Sequence, residues 1–130
     1  MEIINIGQVA IKVKNYERAY QFYKNVLELE ELYRFGELSF FKCGNTRIFL
    51  SPENNNSNCN SSIIYFKVDD IQTSYKKLLN MKVELIDTPH VIAKVEDKEN
   101  WMVFFFDSEG NTLALMSEKP ISTSLKENKK

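Results

Sequence analysis

Ile63–Leu79 reads I-I-Y-F-K-V-D-D-I-Q-T-S-Y-K-K-L-L, an apolar, β-branched run that passes straight into a segment with apolar residues three and four apart. The change of period predicts a strand feeding a helix. Asp69 or Asp70 is the expected N-cap, because a short carboxylate accepts from the free N–H groups of a first helical turn. The phrase occurs once earlier, at Gln8–Lys24: Q-V-A-I-K-V-K-N-Y-E-R-A-Y-Q-F-Y-K. Superposed, Lys12 falls on Lys67, Val13 on Val68, Tyr20 on Tyr75, and Asn15 on the cap residue Asp70. A second echo closes each half, Gly44-Asn45-Thr46 returning as Gly110-Asn111-Thr112 and Ser51 as Ser117. Two imperfect copies of one strand–helix–strands unit therefore make up the chain.

In the first copy Ile4–Val13 alternates. Val9, Ile11 and Val13 point one way, toward the helix that follows, and Gln8, Ala10 and Lys12 point the other, as a wall facing a cleft would. The helix is expected over Tyr16–Leu27, burying Tyr16, Ala19, Tyr20, Tyr23, Val26 and Leu27. Leu32–Phe35, Ser39–Cys43 and Thr46–Leu50 then form a meander, turning at Gly36-Glu37 and Gly44-Asn45. The run P-E-N-N-N-S-N-C-N-S-S at Pro52–Ser62 cannot bury a core and reads as a linker. In the second copy Ile64, Phe66 and Val68 are the helix-side residues, and Ile63, Tyr65 and Lys67 face away. A helix over Ile71–Met81 follows, then strands at Trp101–Asp107 and Thr112–Met116. The second copy is the longer, and its excess falls mainly between Lys82 and Asn100. That arm carries the only His, His90, and leads into the only Trp, Trp101. The charged tail Glu118–Lys130 lacks apolar periodicity and is expected to be disordered.

The chain has 130 residues, 43% hydrophobic and 12% aromatic, which suits one globular domain rather than a fibrous or disordered chain. A net charge of −1 provides no basic field for nucleic acid or an anionic membrane. No apolar run approaches the roughly 20 residues of a membrane span. The opening Met-Glu-Ile-Ile lacks a basic region and cleavage site, and Cys43 and Cys59 have no metal-type spacing, so free thiols and a cytoplasmic location are expected.

A strand–helix–three-strand unit used twice, with D-S-E-G-N-T-L-A-L at Asp107–Leu115, resembles the vicinal oxygen chelate superfamily. This is the group of glyoxalase I, the bleomycin-resistance proteins, fosfomycin-resistance enzymes and extradiol dioxygenases. The resemblance is most specific in Val9–Tyr23, Phe66–Leu79 and Asp107–Leu115. It implies an α+β fold of two βαβββ modules in tandem, whose curled mixed sheets face each other around a cleft. Within one domain over residues 1–117, module one would cover residues 4–51, a linker residues 52–62 and module two residues 63–117. Chains of this kind usually pair, so a homodimer is implied as well.

In the superfamily's metalloenzymes, ligands come from the first and last strands of each module. Those positions map onto Gln8, Ile63, Ala114 and either Ile48 or Phe49. Only Gln8 offers an oxygen, and one amide among hydrocarbon positions cannot hold a divalent cation. No metal and no other cofactor is therefore expected. His90, Trp101, Gln8, Tyr65, Lys12 and Lys67 are the candidate ligand-binding residues. Four of them have a plainer reading too: His90 as a surface residue, Trp101 as core, and Lys12 and Lys67 as side chains snorkelling to a rim. Arg47 and Lys94 are further cations able to meet an anion, whereas Glu96 and Asp97 lie in a hydrophilic run. Three functions compete: metal-free binding of a small molecule, in sequestration or resistance; a glyoxalase-like lyase or isomerase with a metal near His90; and a structural or regulatory module with a vestigial cleft.

Overall fold

The computed structural model describes residues 1–52 and 62–121. Nearly all of the Asn/Ser linker, Cys59 and the tail beyond Ile121 lie outside these described residues. The chain divides into two compact units, Met1–Ser61 with Asp107–Asn111, and Ser62–Phe106 with Thr112–Lys130.

The first unit contains β1 (Gln8–Val13), α1 (Tyr16–Gln21) with a π-helical extension (Phe22–Val26), β2 (Glu30–Phe35), β3 (Leu38–Cys43) and β4 (Thr46–Pro52). Its sheet has the order β1-β4-β3-β2, with β1 parallel to β4 and the other pairs antiparallel. Alternation in β1 is as read: Ile11 and Val13 are buried, Gln8 and Ala10 exposed. The strand starts at Gln8 rather than Ile4, and Ile3, Ile4 and Ile6 stay exposed. Asn15 caps α1 by accepting from the Arg18 N–H. The Leu27 N–H bonds to the Phe22 carbonyl, five residues back, which is the π-helical bond. The wider turn brings Phe22 into the buried set beside Tyr23, while Val26 and Leu27 are only half-buried. A regular helical period could not foresee that exchange.

The second unit repeats the plan with β5 (Ile64–Lys67), α2 (Ile71–Asn80), β6 (His90–Val95), β7 (Lys98–Phe106) and β8 (Thr112–Pro120), in the order β5-β8-β7-β6. Asp70 is the cap, accepting from the N–H groups of Gln72 and Thr73 and from the Thr73 hydroxyl. Ile71, Leu78, Val103, Phe105, Leu113 and Leu115 form the core. Both helical segments are followed by a left-handed residue, Glu28 (φ 59°) and Lys82 (φ 60°), at the place where glycine is usual.

Three expectations are corrected. The long arm is largely strand: β6 and the start of β7 form a hairpin turning at Glu96-Asp97, with His90 as the first residue of β6. Glu118, Lys119 and Pro120 belong to β8 rather than to a disordered tail, and the Ile121 N–H bonds to the Asp97 carbonyl. The echo of Ser51 in Ser117 is not a structural equivalence. Ser51 pairs with Lys12, whereas Lys67 pairs with Met116, because the second hairpin turns through the longer Asp107–Asn111 segment. Ser117 instead lies on the helix-covered face, buried, its hydroxyl without a partner among the described residues.

Candidate functional site

In each unit one sheet face is covered by helix and the other is not. On the helix-free face of the first sheet, register builds two adjacent rows across the strands. One is Gln8–Arg47–Lys42–Glu30, and the next is Ala10–Phe49–Phe40–Tyr33. A bulge at Leu32 makes the second row possible. The extra residue in β2 lets Glu31 stay on the helix side, where it accepts from the Tyr20 hydroxyl, while Tyr33 comes round to the other face. Phe49 and Phe40 stack with centroids 4.9 Å apart and planes 12° apart, and Tyr33 continues the series 4.7 Å from Phe40. Arg47 lies alongside, its guanidinium 5.4 Å from the Phe40 centroid. Its Nε–H donates to Gln8 Oε1 at 2.8 Å and Nη1–H to the Tyr33 hydroxyl at 3.2 Å. No carboxylate among the described residues pairs with it.

The turn Asp107–Asn111, which belongs to the first unit, clasps the start of α1. Glu109 accepts from the Lys14 and Asn15 N–H groups at 2.8 and 2.7 Å, from Arg18 Nε–H at 2.7 Å and from the Ser108 hydroxyl. Burial alone would raise its pKa, but the Arg18 guanidinium and the other donors outweigh burial and lower it to about 2. Buried Asp107 accepts from the Tyr23 hydroxyl at 2.6 Å and from the N–H groups of Glu109 and Asn111. Burial first, and the Asp107 charge second, push the Tyr23 phenol well above its ordinary value. All four carboxylate oxygens of Asp107 and Glu109 accept from the chain itself, so the clasp is structural. It brings the repeat's most recognisable motif to the helix end, where a carboxylate complements the helix dipole.

The sequence candidates are divided between two sheets. Gln8 and half-buried Lys12 share the first helix-free face. Tyr65, Lys67 and His90 share the helix-free face of the second sheet, where Tyr65 meets Phe104 edge to face at 5.8 Å. Lys67 sits 3.7 Å from Glu118. His90 Nδ1 donates to the Thr88 carbonyl at 2.7 Å. Trp101 is not among them. It shares strand parity with Val103 and Phe105 on the helix-covered side, donating to Glu99 with the Lys119 ammonium 4.9 Å from its rings. The described residues hold no cluster of three His, Cys, Asp or Glu side chains able to bind a metal.

Register makes Phe49, not Ile48, the first-copy equivalent of Ala114: Ala10 pairs with Phe49 as Tyr65 pairs with Ala114, and Ile48 is buried on the helix side. Ala114 is itself fully buried. Gln8, the remaining donor, already has its oxygen on a guanidinium, and that cation opposes a second positive charge beside it. These residues do not fit a divalent metal.

The Glyoxalase/Bleomycin resistance protein/Dioxygenase superfamily profile matches residues 5–115, and the chain belongs to that superfamily. Among solved structures it is similar to lactoylglutathione lyase from Agrobacterium tumefaciens, at 19% identity and TM-score 0.72, covering 87% of this chain and 92% of the lyase. An integron cassette protein from Vibrio cholerae gives 17% and 0.74, covering 90% and 97% of the two chains. A virulence protein from Salmonella typhimurium gives 18% and 0.74, covering 90% and 98%. At these identities the likeness establishes the fold, two modules each with a four-stranded mixed sheet. No curated protein sequence matches the chain. No helix among the described residues is long and apolar enough to cross a membrane.

Proposed function

We propose that the chain is a metal-independent small-molecule-binding protein of this superfamily, acting by sequestration or in resistance, with its ligand on the helix-free face of the first sheet. The observation that carries this reading is the Arg47–Gln8 bond. It places a cation where a metalloenzyme of the fold would place one of its ligands, beside aromatic rings rather than carboxylates. The test is elemental analysis after purification without chelator, titration with nickel, zinc and manganese, and a small-molecule thermal-shift screen. The expected result is no stoichiometric metal, together with compounds that raise the unfolding midpoint by binding the native state. One tightly held metal per chain, lost on Gln8→Ala, would overturn the reading in favour of a lyase or isomerase. A screen with no stabilising compound would favour a vestigial module.

The same reading includes a homodimer. It is supported by exposed Ile3, Ile4 and Ile6 and by the strands β1 and β2 that end the first sheet. Open edges and clustered apolar side chains favour association. Light scattering at micromolar concentration should give the mass of two chains; the mass of one would remove this part.

A further inference from the structure

The aromatic row of the first sheet stops one strand short. Tyr33, Phe40 and Phe49 occupy β2, β3 and β4 at one level of the sheet, and the next position, on β1, is Ala10. Rings on adjacent strands stack at about the strand spacing of 4.8 Å, which the 4.9 Å of Phe40–Phe49 matches. Phe49 therefore has a ring neighbour on one side and, on the other, an exposed alanine. A methyl group there leaves the width of one ring empty. Along β1 that gap is flanked by Gln8 and Lys12, and along β4 by Arg47 and Ser51, in matching register. Arg47 spans from Gln8 to Tyr33, with its Nη2 without a partner among the described residues. Guanidinium N–H groups recognise carboxylates through paired, charge-assisted bonds.

We propose that the position above Ala10 takes the ring of a planar aromatic carboxylate, stacked on Phe49 as a fourth rung and held at its anionic group by Arg47. The proposal rests on the reading of this face as the ligand face and names the class of ligand. Aromatic stacking provides the orientation and is tolerant of ring type. The charge nearest the gap determines the sign of the ligand: Arg47 has no carboxylate partner among the described residues, whereas Lys42, farther along the row, stands in register with Glu30. A planar cation above Ala10 would meet the Arg47 guanidinium.

The test uses the full chain and calorimetric titration with four probes: 2-naphthoate, its uncharged carboxamide, cyclohexanecarboxylate and 2-naphthylmethylammonium. Binding of 2-naphthoate is expected, with the carboxamide and the cyclohexane acid each weaker by about tenfold or more. Arg47→Gln should weaken 2-naphthoate by a similar factor and Arg47→Lys by less. Ala10→Phe, which supplies the missing rung from the chain itself, should abolish binding while the fold, followed by circular dichroism, is retained. If the carboxamide or the ammonium probe binds as well as the acid, and Ala10→Phe abolishes that binding, the carboxylate class is wrong and the ligand face stands. If 2-naphthoate binds equally to wild type and Ala10→Phe, the position is wrong. If none of the four probes binds, this proposal fails, and the thermal-shift screen repeated on Ala10→Phe decides the broader reading: stabilising compounds that act equally on both proteins would remove the ligand face too.

Discussion

Glu109→Gln is expected to lower the stability of the protein by about 3 kcal/mol at neutral pH, and its unfolding midpoint by roughly 10 °C. The carboxylate is buried and accepts from two backbone N–H groups, a guanidinium and a hydroxyl. A glutamine keeps the shape but turns an NH2 group toward some of those donors, leaving buried N–H groups unpaired. The depression of the Glu109 pKa from 4.5 to about 2 gives the charge a pH signature. Its folded-state value lies below the unfolded one, so its stabilisation is complete above about pH 5 and is lost as pH falls through about 2. At roughly 1.4 kcal/mol per pH unit the shift corresponds to about 3 kcal/mol, somewhat less because the Arg18 side chain is half exposed and screened by water. The gap between wild type and variant should therefore narrow steadily from pH 5 to pH 2, as read from urea unfolding. A gap that stays constant over that range would show that shape, rather than charge, is what Glu109 provides.

That clasp shows what a sequence can and cannot tell. D-S-E-G-N-T at Asp107–Thr112 stands out as a motif, and it identifies the superfamily correctly. Nothing in its spelling says that Glu109 reaches the first turn of a helix more than ninety residues earlier in the chain. Contacts of that separation are set by topology, not by local period.

Period was a good guide where one residue in two had to be apolar. The inward and outward sets of β1 and β5 are as the alternation reads, and both cap residues are found at their expected places. It was a poor guide where apolar residues sit side by side. Phe40-Phe41, Ile48-Phe49 and Phe104-Phe105-Phe106 each offer a hydrocarbon to either face, so the aromatic row was not visible in the spelling. Bulges at Leu32 and near Ile92 shift parity within β2 and β6, and no single residue type announces a bulge. Trp101 illustrates the cost: its rarity suggested a site, yet its parity with Val103 and Phe105 puts it on the helix-covered face. Arg47 was readable only as one cation among many until register set it beside Gln8.

Neighbouring phenylalanines on β3 provide the sharpest check on this parity. Phe41→Ala should cost about 4 kcal/mol, the range for removing a large ring from a core, and lower the unfolding midpoint by roughly 15 °C. Phe41 is fully buried, with its ring centroid 5.9 Å from that of Tyr20 and 6.5 Å from that of Tyr23. Removing it leaves a cavity against α1 and its π-helical extension, and it also loosens the rings that position the Tyr23 hydroxyl on Asp107. Phe40→Ala should cost only about 1 kcal/mol, since its ring is partly exposed and loses the stacking of Phe49 and Tyr33 rather than a core. Ligand binding should respond in the opposite order. Phe40→Ala removes the ring on which the Arg47 guanidinium rests and should weaken 2-naphthoate severalfold, while Phe41→Ala, assayed well below its midpoint, should bind it nearly as wild type does. Chemical denaturation and calorimetry on the same two variants measure both quantities. A larger loss of stability from Phe40→Ala than from Phe41→Ala would reverse the two faces of the sheet, and with them the placement of Phe49, Ala10 and Arg47 on the ligand side.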